Sequence, residues 1–162
     1  MRKILNRLTL ALASGFYISY LPARLQPQKH WTGAGTLGTL WGLASWFLVS
    51  TAPVPQLAAI AGGIAASIFI CGRAEKIYGK KDDQRIVLDE WAGYWVAAAL
   101  LPRTGGTLIA AFILFRIFDM WKGPAGRWLS KLPGGYGVVL DDILAGLCAN
   151  LTLQVFRFFL SS

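Results

Sequence analysis

Charge is scarce in this chain, and negative charge is the scarcer sign. Charged residues make up 15% of the 162 positions, with eight acids against 16 lysines and arginines. Soluble domains carry about 25% charged residues. This shortfall, with 55% hydrophobic residues, places the chain in the membrane class. His30 is the single histidine, which excludes mechanisms needing two. Cys71 and Cys148 form no CxxC and lie far apart, so neither a zinc knuckle nor a disulfide framework is encoded. Neither has arginine six residues later, which disfavours a cysteine phosphatase. There is no GxxxxGK[ST] for nucleotide phosphates and no DxDx[TV] run for that type of aspartyl-phosphate enzyme. Repeats, low-complexity tracts and linkers are also missing, so residues 1–162 read as a single domain. The net charge of +8 is spread between apolar stretches rather than gathered in a patch, so no nucleic-acid partner is expected.

What the chain has instead is a series of apolar segments: Leu8–Pro22, Leu37–Val49, Val54–Cys71, Ile86–Leu101, Thr107–Phe118 and Val138–Leu160. A full span needs ~20 residues, and several segments reach that only with their flanks. Pro53 and Pro55, Pro102 with Gly105-Gly106, and Pro133-Gly134-Gly135 punctuate the joints. The joint Gly72–Arg85 carries five cations, and the joints after the first and fifth segments are also basic, whereas Ser50–Pro53 has none and Pro102–Gly106 only Arg103. Basic joints mark the cytoplasmic side, so segments two to six each cross. The basic N-terminus also prefers the inside, which leaves the first segment interfacial or re-entrant. That arrangement puts 14 cations inside and 2 outside; a spanning first segment gives 11 and 5. The N-terminus mimics a signal peptide, but no polar mature domain follows, so it is expected to be retained. The fold class expected is all-α: a polytopic helical membrane protein with about five spanning helices plus an N-terminal interfacial or re-entrant helix.

This topology, drawn from lysine and arginine alone, places all eight acids at cytoplasmic segment ends or in the loops beside them. Asp89 and Glu90 open the fourth segment, Asp119 closes the fifth, and Asp141 and Asp142 open the sixth. Carboxylates gathered at a membrane face repel one another unless a cation joins them, and magnesium prefers such oxygens. Pairing with Arg85, Arg116 and Lys122 as interfacial charges is the plain alternative. Asp89, Gly93 and Ala97 share a helical face, as do Asp142, Ala145 and Gly146, so these acids sit above small residues suited to close packing. Arg116, Asp119 and Lys122 form one stripe: either a phosphate and metal site or a local salt-bridge ladder. Gly35-Thr36-Leu37-Gly38-Thr39 could present N–H groups to an anion or simply start a helix. Pro133-Gly134-Gly135-Tyr136-Gly137 could admit a ligand to the backbone or make a turn.

Four blocks resemble the phosphatidylglycerophosphatase A family. They are Gly35-Thr36-Leu37-Gly38-Thr39-Leu40; Asp82 with Ile86-Val87-Leu88-Asp89-Glu90, Gly93 and Trp95; Phe115-Arg116-Ile117-Phe118-Asp119-Met120-Trp121-Lys122; and Gly134-Gly135-Tyr136-Gly137-Val138-Val139-Leu140-Asp141-Asp142-Ile143-Leu144-Ala145-Gly146. They run from 35 to 146 in family order. The chain departs from the family pattern at Ala34, in place of proline, and at Gly123 before Pro124, and Pro22–Ala34 looks longer than usual.

The resemblance implies a bacterial inner-membrane, multi-pass enzyme, its active site facing the cytoplasm, that hydrolyses phosphatidylglycerophosphate to phosphatidylglycerol and phosphate with Mg2+. It implies Asp82, Asp89, Glu90, Asp119, Asp141 and Asp142 as the acidic site residues. In the mechanism this suggests, Glu90, Asp119 and Asp142 hold one or two magnesium ions, with Asp89 and Asp141 as further ligands or groups that orient them. Asp82 is the base or orients water, and Arg116 and Lys122, with Thr36 and Thr39, meet the phosphate. The rival from another class is an ion-coupled membrane transporter using the acids as a cation site, which predicts acids near the bilayer midplane and an inverted repeat.

Overall fold

The computed structural model describes residues 2–25 and 33–160. Among them every regular element is an α-helix: α1 (Arg2–Ala13), α2 (Tyr20–Leu25), α3 (Ala34–Trp46), α4 (Pro53–Tyr78), α5 (Leu88–Ala98), α6 (Gly105–Trp121), α7 (Pro124–Leu129) and α8 (Gly135–Leu160). Local chemistry sets several ends. Pro53 opens α4, where its missing N–H costs no hydrogen bond, and Gly79 closes it at φ 69. The Thr104 hydroxyl caps α6 by accepting from the Thr107 amide.

Helices α4 and α8, 26 residues each, are long and apolar enough to cross a membrane. Only 22% and 17% of their apolar windows are buried, whereas a core helix of a soluble protein would be mostly covered. The same inversion marks α6. Its buried stripe is Leu108, Ala111, Phe115 and Asp119, while Ile109, Ile113 and Ile117 form an exposed apolar stripe. An outward apolar face of this kind marks a membrane or protein-contact surface.

The packing fixes helix directions. Gly38 lies against Val87 and Glu90, and Gly42 against Trp91 and Tyr94, so α3 runs parallel to α5. Gly93 lies against the Asp142 carbonyl, and Asn150 donates to the Ala97 and Ala99 carbonyls, so α8 also runs parallel to α5. Helix α4 runs the other way: Ser67 donates to the Leu88 carbonyl near one end, and Gln56 accepts from the Leu100 amide near the other. Helix α6 is antiparallel too, with Leu108 accepting from Tyr94 and Lys122 reaching Asp141. One end of the bundle therefore collects the starts of α3, α5 and α8 and the finishes of α4 and α6. At the far end Arg103 donates to the Val49 and Ser50 carbonyls in the loop after α3.

The structure departs from the sequence reading in four places. Leu8–Pro22 is not one segment. It divides between α1 and α2 at a turn where Gly15, Phe16 and Tyr17 adopt positive φ, held by Ser14, whose hydroxyl donates to the Leu10 carbonyl and accepts from the Tyr17 amide. The basic joint after the third segment is helical as far as Tyr78, because α4 continues past Cys71. The joint after the fifth contains α7. Helix α8 starts at Gly135, so Asp141 and Asp142 lie inside it rather than opening it. The long stretch from Pro22 to Ala34, with Lys29 and His30, falls largely outside the described residues.

Candidate active site

Five carboxylates meet at the collecting end. Asp89 and Glu90 occupy the first turn of α5, where the helix dipole favours negative charge. Asp119 lies in the last turn of α6, and Asp141 and Asp142 project from α8. Asp89, Asp119, Asp141 and Asp142 are buried. The carboxylate oxygens of Asp89, Glu90 and Asp142 come within 4.8 Å of one another. The remaining two acids have cationic partners: Arg116 Nη1 is 2.7 Å from Asp119 Oδ2, and Lys122 Nζ is 2.5 Å from Asp141 Oδ2.

Close helix approach creates this cluster. A Cβ on Gly93 would lie 2.6 Å from the Phe115 ring and 2.9 Å from the Asp142 carbonyl, and one on Gly146 would collide with the Gly93 carbonyl. The two glycines thus let α5 and α8 touch backbone to backbone below the acids. Gly35 plays a different part. A Cβ there would run into Glu90 Oε1 and come within 2.9 Å of Arg116 Nη1, so the start of α3 forms one wall of the site.

The trio suits a hard divalent cation. Asp89 Oδ1 and Glu90 Oε2 are buried with no hydrogen-bond partner, and buried carboxylate oxygens left without donors are costly. An oxygen-only donor set of this kind fits magnesium. Lys122 and Arg116 then flank the trio with positive charge. Burial alone would lower the Lys122 pKa, but Asp141, Asp142 and Asp82 hold it above its ordinary value.

Asp82 is not one of the converging three but lies within charge range of Lys122. It is exposed in the loop after α4, at φ 48, and its amide donates to Glu75 Oε1 at 2.8 Å. Its neighbour Asp83 is structural. Burial raises the Asp83 pKa, but hydrogen bonds and charge from Arg85 outweigh this and bring it below the ordinary value. Arg85 grips both Asp83 oxygens at 2.7 and 3.0 Å and stacks 3.9 Å from the Tyr78 ring centre. Sequence reasoning missed Glu75 and Arg85 as holders of the Asp82 loop. The available signal was the stripe Ser67, Cys71 and Glu75, an acid in register with a buried face. Of the two threonines expected at the phosphate, Thr36 is exposed, whereas Thr39 is buried and its hydroxyl donates to the Gly35 carbonyl. The glycine-rich run before Asp141 turns at Pro133-Gly134 and then becomes the first turn of α8, where the Gly137 amide donates to the Gly134 carbonyl.

The family model described as phosphatidylglycerophosphatase A matches residues 11–157. The chain is similar to phosphatidylglycerophosphatase A of Escherichia coli (strain K12), 35% identical over 116 residues, covering 70% of this chain and 67% of that protein. It is also similar to a putative phosphatidylinositol-3-phosphatase of Bacteroides thetaiotaomicron, 33% identical over 136 residues, covering 78% and 82%. Phosphatidylglycerophosphatase A of Haemophilus influenzae is 31% identical over 94 residues, covering 57% and 58%. No solved structure matches the chain. These likenesses do not favour the transporter reading.

Proposed function

The chain belongs to the phosphatidylglycerophosphatase A family, and from that premise we propose that it hydrolyses the terminal phosphate of phosphatidylglycerophosphate, with magnesium held by Asp89, Glu90 and Asp142. The observation that carries this reading is the meeting of those three carboxylates within 4.8 Å, two of their oxygens buried and unpartnered. When bound, magnesium supplies charge that offsets the carboxylates and polarises the phosphoryl group. Asp119 and Asp141 serve as further ligands and as anchors for Arg116 and Lys122. Those two cations present N–H groups to the phosphoryl oxygens, where charge develops. Asp82, exposed on its braced loop, accepts the proton of the attacking water. Gly35, with no side chain, lets the start of α3 close against Glu90 and Arg116 as one wall of the site.

The chain sits in the bacterial inner membrane and crosses it several times, with the acid end facing the cytoplasm. The distribution of cations supports this orientation. Helix α1, 12 residues and ~18 Å long, is too short for a ~30 Å core. It exposes Ile4, Leu5, Leu8 and Leu12, which suits a helix lying in the interface. The Bacteroides relative favours a second reading, a phosphorylated inositol lipid as substrate. Phosphate release by purified protein from phosphatidylglycerophosphate and from phosphatidylinositol 3-phosphate, with magnesium and with chelator, tests both. Release from the first lipid that stops with chelator is expected. Equal release with chelator overturns the metal, and release only from the inositol lipid overturns the substrate.

A further inference from the structure

We propose that a groove between α1, α4 and the turn entering α8 binds the phosphate of a second anionic phospholipid, apart from the catalytic acids. The groove has a volume of about 1020 Å³, and among the described residues its lining includes three cations, Arg2, Arg73 and Lys76, and no acid. Among the described residues none of the three forms an ion pair. The Arg73 Nε is buried without a partner, while its Nη2 reaches Asn6 Oδ1 at 3.5 Å. A buried donor lacking an acceptor, beside a groove of one charge sign, calls for an anion.

The apolar part identifies the anion's carrier. Ala65, Phe69 and Arg73 follow one another at helical spacing along one stripe of α4, with Lys76 one turn beyond Arg73. Phe69 is 70% exposed. At 1.5 Å per residue, Arg73 stands ~6 Å and Lys76 ~10 Å further along the axis than Phe69. A free phosphate would use only the cations. A phospholipid uses the whole stripe, with its acyl chain against Ala65 and Phe69 and its phosphate at Arg73 and Lys76. Tyr136, 55% exposed at the start of α8, also lines the groove and adds apolar surface for the chain. This face of α4 differs from the buried one that carries Cys71 and Glu75 toward the acids. Lacking carboxylates, the groove recruits no metal and performs no chemistry.

Native mass spectrometry of detergent-solubilised protein, titrated with phosphatidylglycerol or zwitterionic phosphatidylcholine, tests the site. The parent protein should retain phosphatidylglycerol in preference to phosphatidylcholine. R73Q/K76Q should weaken that retention about tenfold or more, as expected for losing charge-assisted hydrogen bonds. Arg73→Lys, which keeps the charge, should restore most of it. Turnover on phosphatidylglycerophosphate in the same detergent should not change, so failure of the groove and failure of the catalytic reading are separable. Lys76→Gln alone, at an exposed position, carries the same test if the double variant does not fold. Undiminished retention in the folded variants, no preference for the anionic lipid, or displacement by inorganic phosphate alone would each overturn the proposal.

Discussion

Asp142 is the residue through which α8 joins the acids of α5, and neutralising it separates catalysis from folding. Asp142→Asn should lower turnover by about 10²-fold or more, the scale seen when a group acting on transition-state charge is lost. Without magnesium, its melting temperature should not fall, because removing one carboxylate relieves repulsion within the trio. Magnesium raises stability only where it binds the folded form, so the rise seen in the parent should vanish in the variant. An unchanged magnesium response would remove Asp142 from the metal site. Asp119→Asn should also abolish turnover in a folded protein, since it releases Arg116 from its 2.7 Å partner; near-normal activity would place Asp119 outside the site. Asp83 is a different kind of acid. Its folded pKa lies below the ordinary 3.8, so its pair with Arg85 stabilises fully at neutral pH. That contribution is lost as pH falls from about 3.8 through the folded value. Asp83→Asn should therefore lower the neutral-pH melting temperature and flatten its dependence on pH in that acid window. A variant that keeps the parent's acid-side slope would contradict this.

At the scale of elements, the site depends on how closely α5 and α8 approach. Gly146→Ala adds one methyl against the Gly93 carbonyl, and backbone cannot yield as a flexible side chain can. Overpacking of this kind costs about 1–3 kcal/mol, and here it also moves Asp142 away from Asp89 and Glu90. A lower melting temperature together with weakened magnesium stabilisation is expected; normal values for both would contradict the close α5–α8 approach as the feature that holds the acids together. Gly93 and Gly146 were legible in the sequence as members of small-residue faces, because helical spacing alone places them under Asp89 and Asp142. Their facing each other was not legible, since spacing within a helix carries no register between helices. The break between α1 and α2 was hidden for a related reason. Phe16 and Tyr17 are poor candidates for positive φ, and tertiary and turn contacts sustain that conformation: Ser14 bonds both sides of the turn, the Tyr17 hydroxyl donates to the Arg7 carbonyl, and Phe16 packs on Trp41.

At the scale of the molecule, orientation is the property to test. On a background without Cys71 and Cys148, cysteines at exposed Thr51 and exposed Lys81 mark opposite ends of the bundle. An impermeant thiol reagent should label Thr51→Cys in intact cells and Lys81→Cys only after permeabilisation; the reverse pattern would invert the orientation. Lys3→Cys reports on α1 separately. Labelling of that position from outside would refute an interfacial α1 and leave the rest standing.

The sequence alone determined that the chain is helical and apolar on its outside, because composition and the separation of basic from bare joints are properties of the linear string. It also marked the acids, because eight carboxylates in so apolar a chain can be singled out by scarcity. Only the tertiary structure decided how they divide. Asp89, Glu90 and Asp142 converge, Asp119 and Asp141 take cationic partners, Asp83 braces a loop and Asp82 is left exposed on it. That division depends on helix direction and interhelical distance, which arise when glycines on separate helices meet and which no spacing along one helix encodes.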